Sequence, residues 1–256
     1  MPLIDPVTMS TPTRQAPDGK TSKPKETAKP LQPVILFGSG LARAADGLEL
    51  LLLAGWLRIR FGDLVSDPVA ELKNGVLVLA ALQSAWVVLC CPPLGYHKKG
   101  VKPGFWPAVL SLTLTSFTIP LFHIIFILFG APLLTHPAET LLCSATLAVL
   151  SVYPIFYTHG VDSRAWKAVC GINAPMDETF CGFWGGIAGA WLGAVPIPLD
   201  WDREWQKWPV TIVVGIVAGY IIGRLVGGVA TLDAKRKAGQ GRDSGVKGES
   251  ARSKEE

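Results

Sequence analysis

The stretch GAWLGAVPIPLDWDREWQKWPVTIVVGIVAGYIIG, residues 189–223, decides the fold. Two apolar, glycine-stepped arms flank a turn that sets Asp200, Asp202, Arg203, Glu204 and Lys207 among Trp201, Trp205 and Trp208. Each arm belongs to an apolar block of about 20 residues, which as a helix crosses a hydrocarbon core. Tryptophan prefers the membrane–water interface, where its ring body is apolar and its N–H is wet. The tryptophans therefore read as anchors at headgroup depth, with the charges projecting into water or toward a lipid headgroup. An anchored turn needs no more than that, and a contact surface is the alternative.

Outward from this hairpin, the chain breaks into further apolar blocks. Six are predicted, at 34–57, 72–92, 106–130, 138–158, 180–199 and 209–230, separated by polar, proline- and glycine-bearing connections. The 256 residues are 49% hydrophobic and 17% charged, with a mean hydropathy of +0.35, and much of the charge lies in the two tails. That distribution excludes a water-soluble domain and predicts an all-α, polytopic membrane bundle. Residues 1–33 and 231–256 are polar and read as disordered cytosolic tails around a membrane domain at 34–230. The first 30 residues hold no apolar region of a secretory signal.

An even number of spans puts both tails on one face. That face holds Lys20, Lys23, Lys25, Lys29, Lys98, Lys99, Lys102, Arg164, Lys167, Lys235, Arg236 and Lys237. The opposite face has Arg58, Arg60, Arg203 and Lys207, so the positive-inside rule makes the tails cytosolic and the tryptophan turn lumenal or exterior. The net charge of +4 is thus topological and does not signal nucleic acid.

The first block carries Arg43, Asp46 and Glu49, spaced three apart and near one helix face. Charge inside a membrane must be paired or face protein. Two readings stand: an Arg43–Asp46 pair turned toward a partner helix, or an interfacial segment that crosses late. Arg224, near the cytosolic end of the last block, reads as snorkelling outward. Gly185, Gly189 and Gly193 in the fifth block, and Gly215, Gly219, Gly223 and Gly227 in the sixth, recur every four residues. Such small-residue faces let helix backbones approach, either on each other or on another protein.

Catalytic patterns are lacking. There is no HExxH, CxxC, P-loop or GxSxG, and His97, His123, His136 and His159 fall on four different elements. His123 reads as a helix–helix hydrogen bond or a functional polar residue. Cys90, Cys91, Cys143, Cys170 and Cys181 read mainly as small buried hydrophobes, with S-palmitoylation an option for the Cys90–Cys91 pair. No cofactor and no metal site is expected.

Residues 189–223 closely resemble the C-terminal segment typical of the PIG-F family, which acts in assembling glycosylphosphatidylinositol (GPI) anchors. FHIIFILFGAPL, residues 122–133, with Glu139 and Thr140 after it, is similar to that family too, and Ala165–Trp166 matches weakly. The likeness runs from about residue 117 to 227, beyond which only the hydropathy pattern agrees. It implies a non-catalytic, multispanning endoplasmic reticulum subunit that stabilises the GPI ethanolamine-phosphate transferases, large PIG-O-like and PIG-G-like partners. Those partners carry the lumenal, metal-dependent catalytic domains and modify mannoses of the GPI precursor. By the same resemblance, Phe122, His123, Gly130, Pro132 and Glu139 form a corner beside the turn of Pro196, Pro198, Leu199, Asp200, Trp201, Trp205, Trp208 and Pro209. These would meet the transferase or its lipid, while Gly189 to Gly193 pack. A lipid or GPI-precursor transporter and an intramembrane transferase are the other function classes, the first wanting a polar pathway and inverted repeats, the second converging acids and histidines.

Overall fold

The structure, a computed structural model, describes residues 31–96 and 100–252, with side chains as far as 238. The tail expected at 1–33 thus lies, for its first 30 residues, outside the described residues. Every regular element among those described is helical: α1 (Gly40–Ser66), α2 (Pro68–Cys90), α3 (Phe105–Ser116), α4 (Ile119–Leu128), α5 (Pro137–Leu147), α6 (Tyr153–His159), α7 (Ser163–Cys170), α8 (Glu178–Ala194) and α9 (Val210–Arg252).

Local chemistry sets the starts. Ser39 caps α1 by accepting from the Ala42 N–H, and Asp67 caps α2, whose first residue is Pro68. Proline fits there because its missing N–H would have had no partner in the first turn. Asp177 does two jobs: Oδ1 accepts from the Phe180 N–H at 2.9 Å, and Oδ2 accepts from the Val34 N–H at 2.8 Å. One carboxylate thereby caps α8 and ties down the chain that leads into α1. Between α5 and α6 a π-helical turn spans Ala148–Val152, just before Pro154, which cannot donate to Leu150 and pushes its carbonyl aside.

α8 and α9 form the tightest pair in the molecule, and their glycines face each other. A Cβ built on Gly185 would lie under 3.0 Å from the Gly219 carbonyl oxygen, and one on Gly189 equally close to that of Gly215. Gly193 meets Thr211 and Gly223 meets Cys181 in the same way. The two stripes are therefore spent on one another, which leaves neither free for a second protein. Around this pair the core gathers Leu53, Leu72, Leu79, Leu150, Val213, Ile216 and Val217, all buried, from α1, α2, the π turn and α9.

Of the six blocks, four make helices long and apolar enough to cross a membrane: Pro68–Cys90, Phe105–Leu128, Pro137–His159 and Val210–Ala238. The other two differ for visible reasons. α1 has 27 residues but holds Arg43, Asp46, Glu49, Arg58, Arg60 and Asp63, and α8 has 17 residues.

Candidate functional site

Two places concentrate polar or concave chemistry, one just before α9 and one within it. The first is the tryptophan turn. After α8 the chain turns through Val195–Leu199, and a short 3₁₀ turn at Glu204–Gln206 leads into α9. Gln206 is its hub. Its buried amide donates to the carbonyls of Pro196 and Leu199, each at 2.8 Å, and its Oε1 accepts from the Arg203 N–H at 2.9 Å. Asp202 adopts a left-handed φ of 46°, which aspartate tolerates better than most side chains. Asp200 and Trp201 are exposed, Trp201 and Trp205 lie 5.7 Å apart between ring centres, and Lys207 pairs with Glu204 on the surface.

Trp208 points the other way, into the bundle. Its Nε1 donates to Thr140 Oγ1 at 3.1 Å, and its ring stands edge-on to Phe126 at 6.1 Å. That contact joins the turn to the corner after α4. Between them opens a cavity of about 600 Å³ whose walls include Phe122, Phe126, Pro132, Ala190, Pro198 and Trp208. Five residues picked out from sequence for the corner and the turn, Phe122, Gly130, Pro132, Pro198 and Trp208, thus meet around one space. The others of the corner and the turn do not line it. Pro196 supplies a carbonyl to Gln206, and Glu139 lies 3.0 Å from His136 Nδ1. His123 is half-buried, and its Nδ1 has no hydrogen-bond partner among the described residues, unlike the first of its two readings, a helix–helix hydrogen bond.

The second place lies about 21 Å along α9, where Arg224 is fully enclosed. Its guanidinium pairs with Asp46, donates from Nη1 to Glu49 Oε2 at 3.2 Å, and donates to Tyr220 Oη at 2.8 Å. The ring of Trp86 covers it, 3.6 Å from the guanidinium carbon, and the Trp86 Nε1 donates to Asp46 Oδ1 at 2.9 Å. Gln83 Nε2 reaches Glu49 Oε1 at 3.4 Å. Two expectations change here. Arg224 does not snorkel outward, and Asp46 pairs with it, whereas Arg43 is exposed. The reason is charge balance: buried carboxylates need a buried cation, and Arg224 is the one whose fork reaches both. Trp86 and Gln206 escaped the sequence reading, and Arg224 was read only as a snorkelling side chain, although an arginine inside an apolar block is itself a signal that buried acids lie near. Among the described residues, no three His, Cys, Asp or Glu side chains converge as metal ligands would.

Comparison with known proteins bears on both places. The model of the GPI biosynthesis protein family Pig-F matches residues 49–228, which carries the likeness upstream into α1 and α2. A Neurospora crassa protein named glycosylphosphatidylinositol anchor biosynthesis protein 11 is 42% identical over 89% of this chain and 97% of its own length. A namesake from Pyricularia oryzae is 41% identical over 87% of this chain and 93% of its own. The Homo sapiens protein named GPI ethanolamine phosphate transferase, stabilizing subunit, is 34% identical over 48% of this chain and 57% of its own. No solved structure matches the chain.

Proposed function

The chain belongs to the GPI biosynthesis protein family Pig-F, and from that membership we propose that it is a non-catalytic, stabilising membrane subunit of a GPI ethanolamine phosphate transferase. The observation that carries this reading is the alignment with relatives whose names state GPI anchor biosynthesis and the stabilising role. In this reading, catalysis belongs to a larger partner of the PIG-O or PIG-G kind, which modifies mannoses of the GPI precursor in the endoplasmic reticulum. The exposed side of the turn, Asp200 and Trp201 with Trp205, meets that partner, and the corner at Pro132 and Glu139 flanks it.

The same reading takes α1 and α8 as crossings, making six, with both tails cytosolic. Inward pairing supports this for α1. Asp46 and Glu49 turn inward to pair with Arg224, so the composition of α1 overstates how polar a surface it offers to lipid. For α8, the apolar turn Val195–Leu199 adds length to its 17 residues.

The experiment is affinity purification in gentle detergent, followed by mass spectrometry and an activity assay on the stripped chain. Recovery of a large ethanolamine-phosphate transferase, with no activity in the stripped chain, supports the subunit reading. An active lone chain refutes it. Asp200→Ala with Trp201→Ala should reduce partner recovery at unchanged expression, and full recovery would reduce the turn to an anchor.

A further inference from the structure

The cavity beneath the turn has a chemistry of its own. At about 600 Å³ it is of the size that buries most of a drug-sized ligand. Its walls are side chains of Phe, Ile, Leu, Ala, Pro and Trp, with Gly130. The polar side-chain groups on that wall are two indole N–H groups, that of Trp208, which Thr140 already accepts, and that of Trp191 on the exposed side. The inner wall offers a ligand apolar contact, not hydrogen bonds. Water is a poor occupant of such a space, because it needs two to four polar partners.

The open side is defined by the lining residues that are themselves exposed: Phe129 at 77%, Trp191 at 66% and Ile197 at 38%. They continue an outward-facing apolar surface that includes Leu128 and Leu192. In a chain whose helices cross a membrane, that surface is bathed in acyl chains. The loop whose two ends wall the cavity, at Pro198 and Trp208, carries charges of both signs. Asp200, Asp202 and Arg203 form no ion pair among the described residues, and Glu204 and Lys207 pair with each other at the surface. Arg203 and Lys207 suit a phosphate, while Asp200 and Glu204 suit an ammonium group.

We propose that this cavity takes one acyl chain of a zwitterionic glycerophospholipid, whose headgroup rests on the charged turn at Asp200–Lys207. The turn is then a headgroup seat, and Trp208 is the wall that separates seat from chain. The lipid binds without chemical change. This inference does not rest on the subunit reading, since it concerns the chain alone in a bilayer.

Buried walls make it testable. Phe126, Leu147 and Ile212 are at most 9% exposed and border the cavity, so a lipid chain reaches them by entering it. The full chain is reconstituted in vesicles of phosphatidylcholine that carry a diazirine in one acyl chain, photolysed, digested, and mapped by mass spectrometry. The expected result is label on Phe126 or Ile212 as well as on exposed Leu110 and Leu225. Ala190→Trp, which fills the cavity, should cut the inner label at least tenfold and leave the outer label unchanged. Should that variant misfold, Ala194→Phe serves, and the wild-type pattern stands by itself. Arg203→Ala with Lys207→Ala should lower the inner label severalfold. Label confined to outer residues, or inner label indifferent to Ala190→Trp, overturns the proposal. So does an Ile197→Cys adduct, formed in native membranes, with a protein segment that replaces the lipid label. A lost partner with retained inner label would sink the subunit reading alone.

Discussion

Arg224 and Asp46, 178 positions apart, form an ion pair roofed by the ring of Trp86. The pair lies where α9 crosses α1, and Glu49 joins it from the next turn of α1. Two acidic side chains of α1 thereby turn inward to a cation on α9. Breaking such a pair is costlier than the pair is worth, because the remaining charge stays buried and alone.

Arg224→Leu should therefore destabilise the protein by about 3–5 kcal/mol, by stranding both Asp46 and Glu49. Arg224→Lys should cost less, since a single ammonium keeps the charge but loses the fork. Asp46→Asn combined with Glu49→Gln should restore part of the loss in Arg224→Leu. Thermal unfolding of the detergent-solubilised protein, followed by size-exclusion chromatography, reads all of these. Equal melting of Arg224→Leu and wild type would mean that the pair contributes nothing.

The glycine face between α8 and α9 makes a sharper distinction. Gly189→Ala places a methyl against the Gly215 carbonyl oxygen, a backbone atom that cannot step aside. Overpacking of this kind costs about 1–3 kcal/mol. Gly47→Ala in α1 meets nothing within 4 Å, and there alanine should gain about 0.5–1 kcal/mol from the smaller entropy loss. Opposite signs from the same chemical change, read by the same melting assay, are the expected outcome. A neutral Gly189→Ala would show that the helices can separate.

Gln206 holds the turn through three hydrogen bonds. Gln206→Ala removes all three, each worth about 1 kcal/mol, and leaves the carbonyls of Pro196 and Leu199 to find water. Gln206→Glu keeps an acceptor for Arg203 but loses both donations. Hydrogen exchange over residues 199–207 should rise most in the alanine variant and less in the glutamate one. Unchanged exchange in both would show that the tryptophans alone fix the turn.

Much of this architecture is legible in the sequence, and the unequal parts have physical reasons. The α8–α9 hairpin shows itself because its packing face repeats every four residues, and the tryptophan turn because interfacial rings and charge coincide. The meeting of Phe122, Pro132, Pro198 and Trp208 around a cavity was expected only as proximity, carried by the family resemblance. The Arg224 site was missed because pairing across 178 residues leaves no periodic trace. The three charges of α1 posed the right question, yet sequence spacing favoured the neighbour, Arg43, over a cation on another helix. Gln206 gave no sign at all: one polar residue in a polar turn has nothing to mark it as the hub.

The span count can be decided from both sides of the membrane. In a six-span topology, Ser66, Thr135 and Glu204 share the lumenal face, while Ser163 and Lys235 are cytosolic. If α1 and α8 stay on one side, leaving four spans, Ser66 moves to the face of the N-terminal tail. Ser163 and Glu204 then lie together, opposite Lys235. These residues are exposed, so cysteine at each, in a background without the five native cysteines, should tolerate labelling. In sealed, cytosolic-side-out microsomes, an impermeant maleimide should modify Ser163→Cys and Lys235→Cys at once. Ser66→Cys, Thr135→Cys and Glu204→Cys should react only after the membrane is opened. The Ser163–Glu204 comparison bears on α8 alone and Ser66 on α1 alone, so either helix can fail without the other. Early labelling of Ser66→Cys would mean that pairing with Arg224 does not carry α1 across, and that its charges remain at one surface.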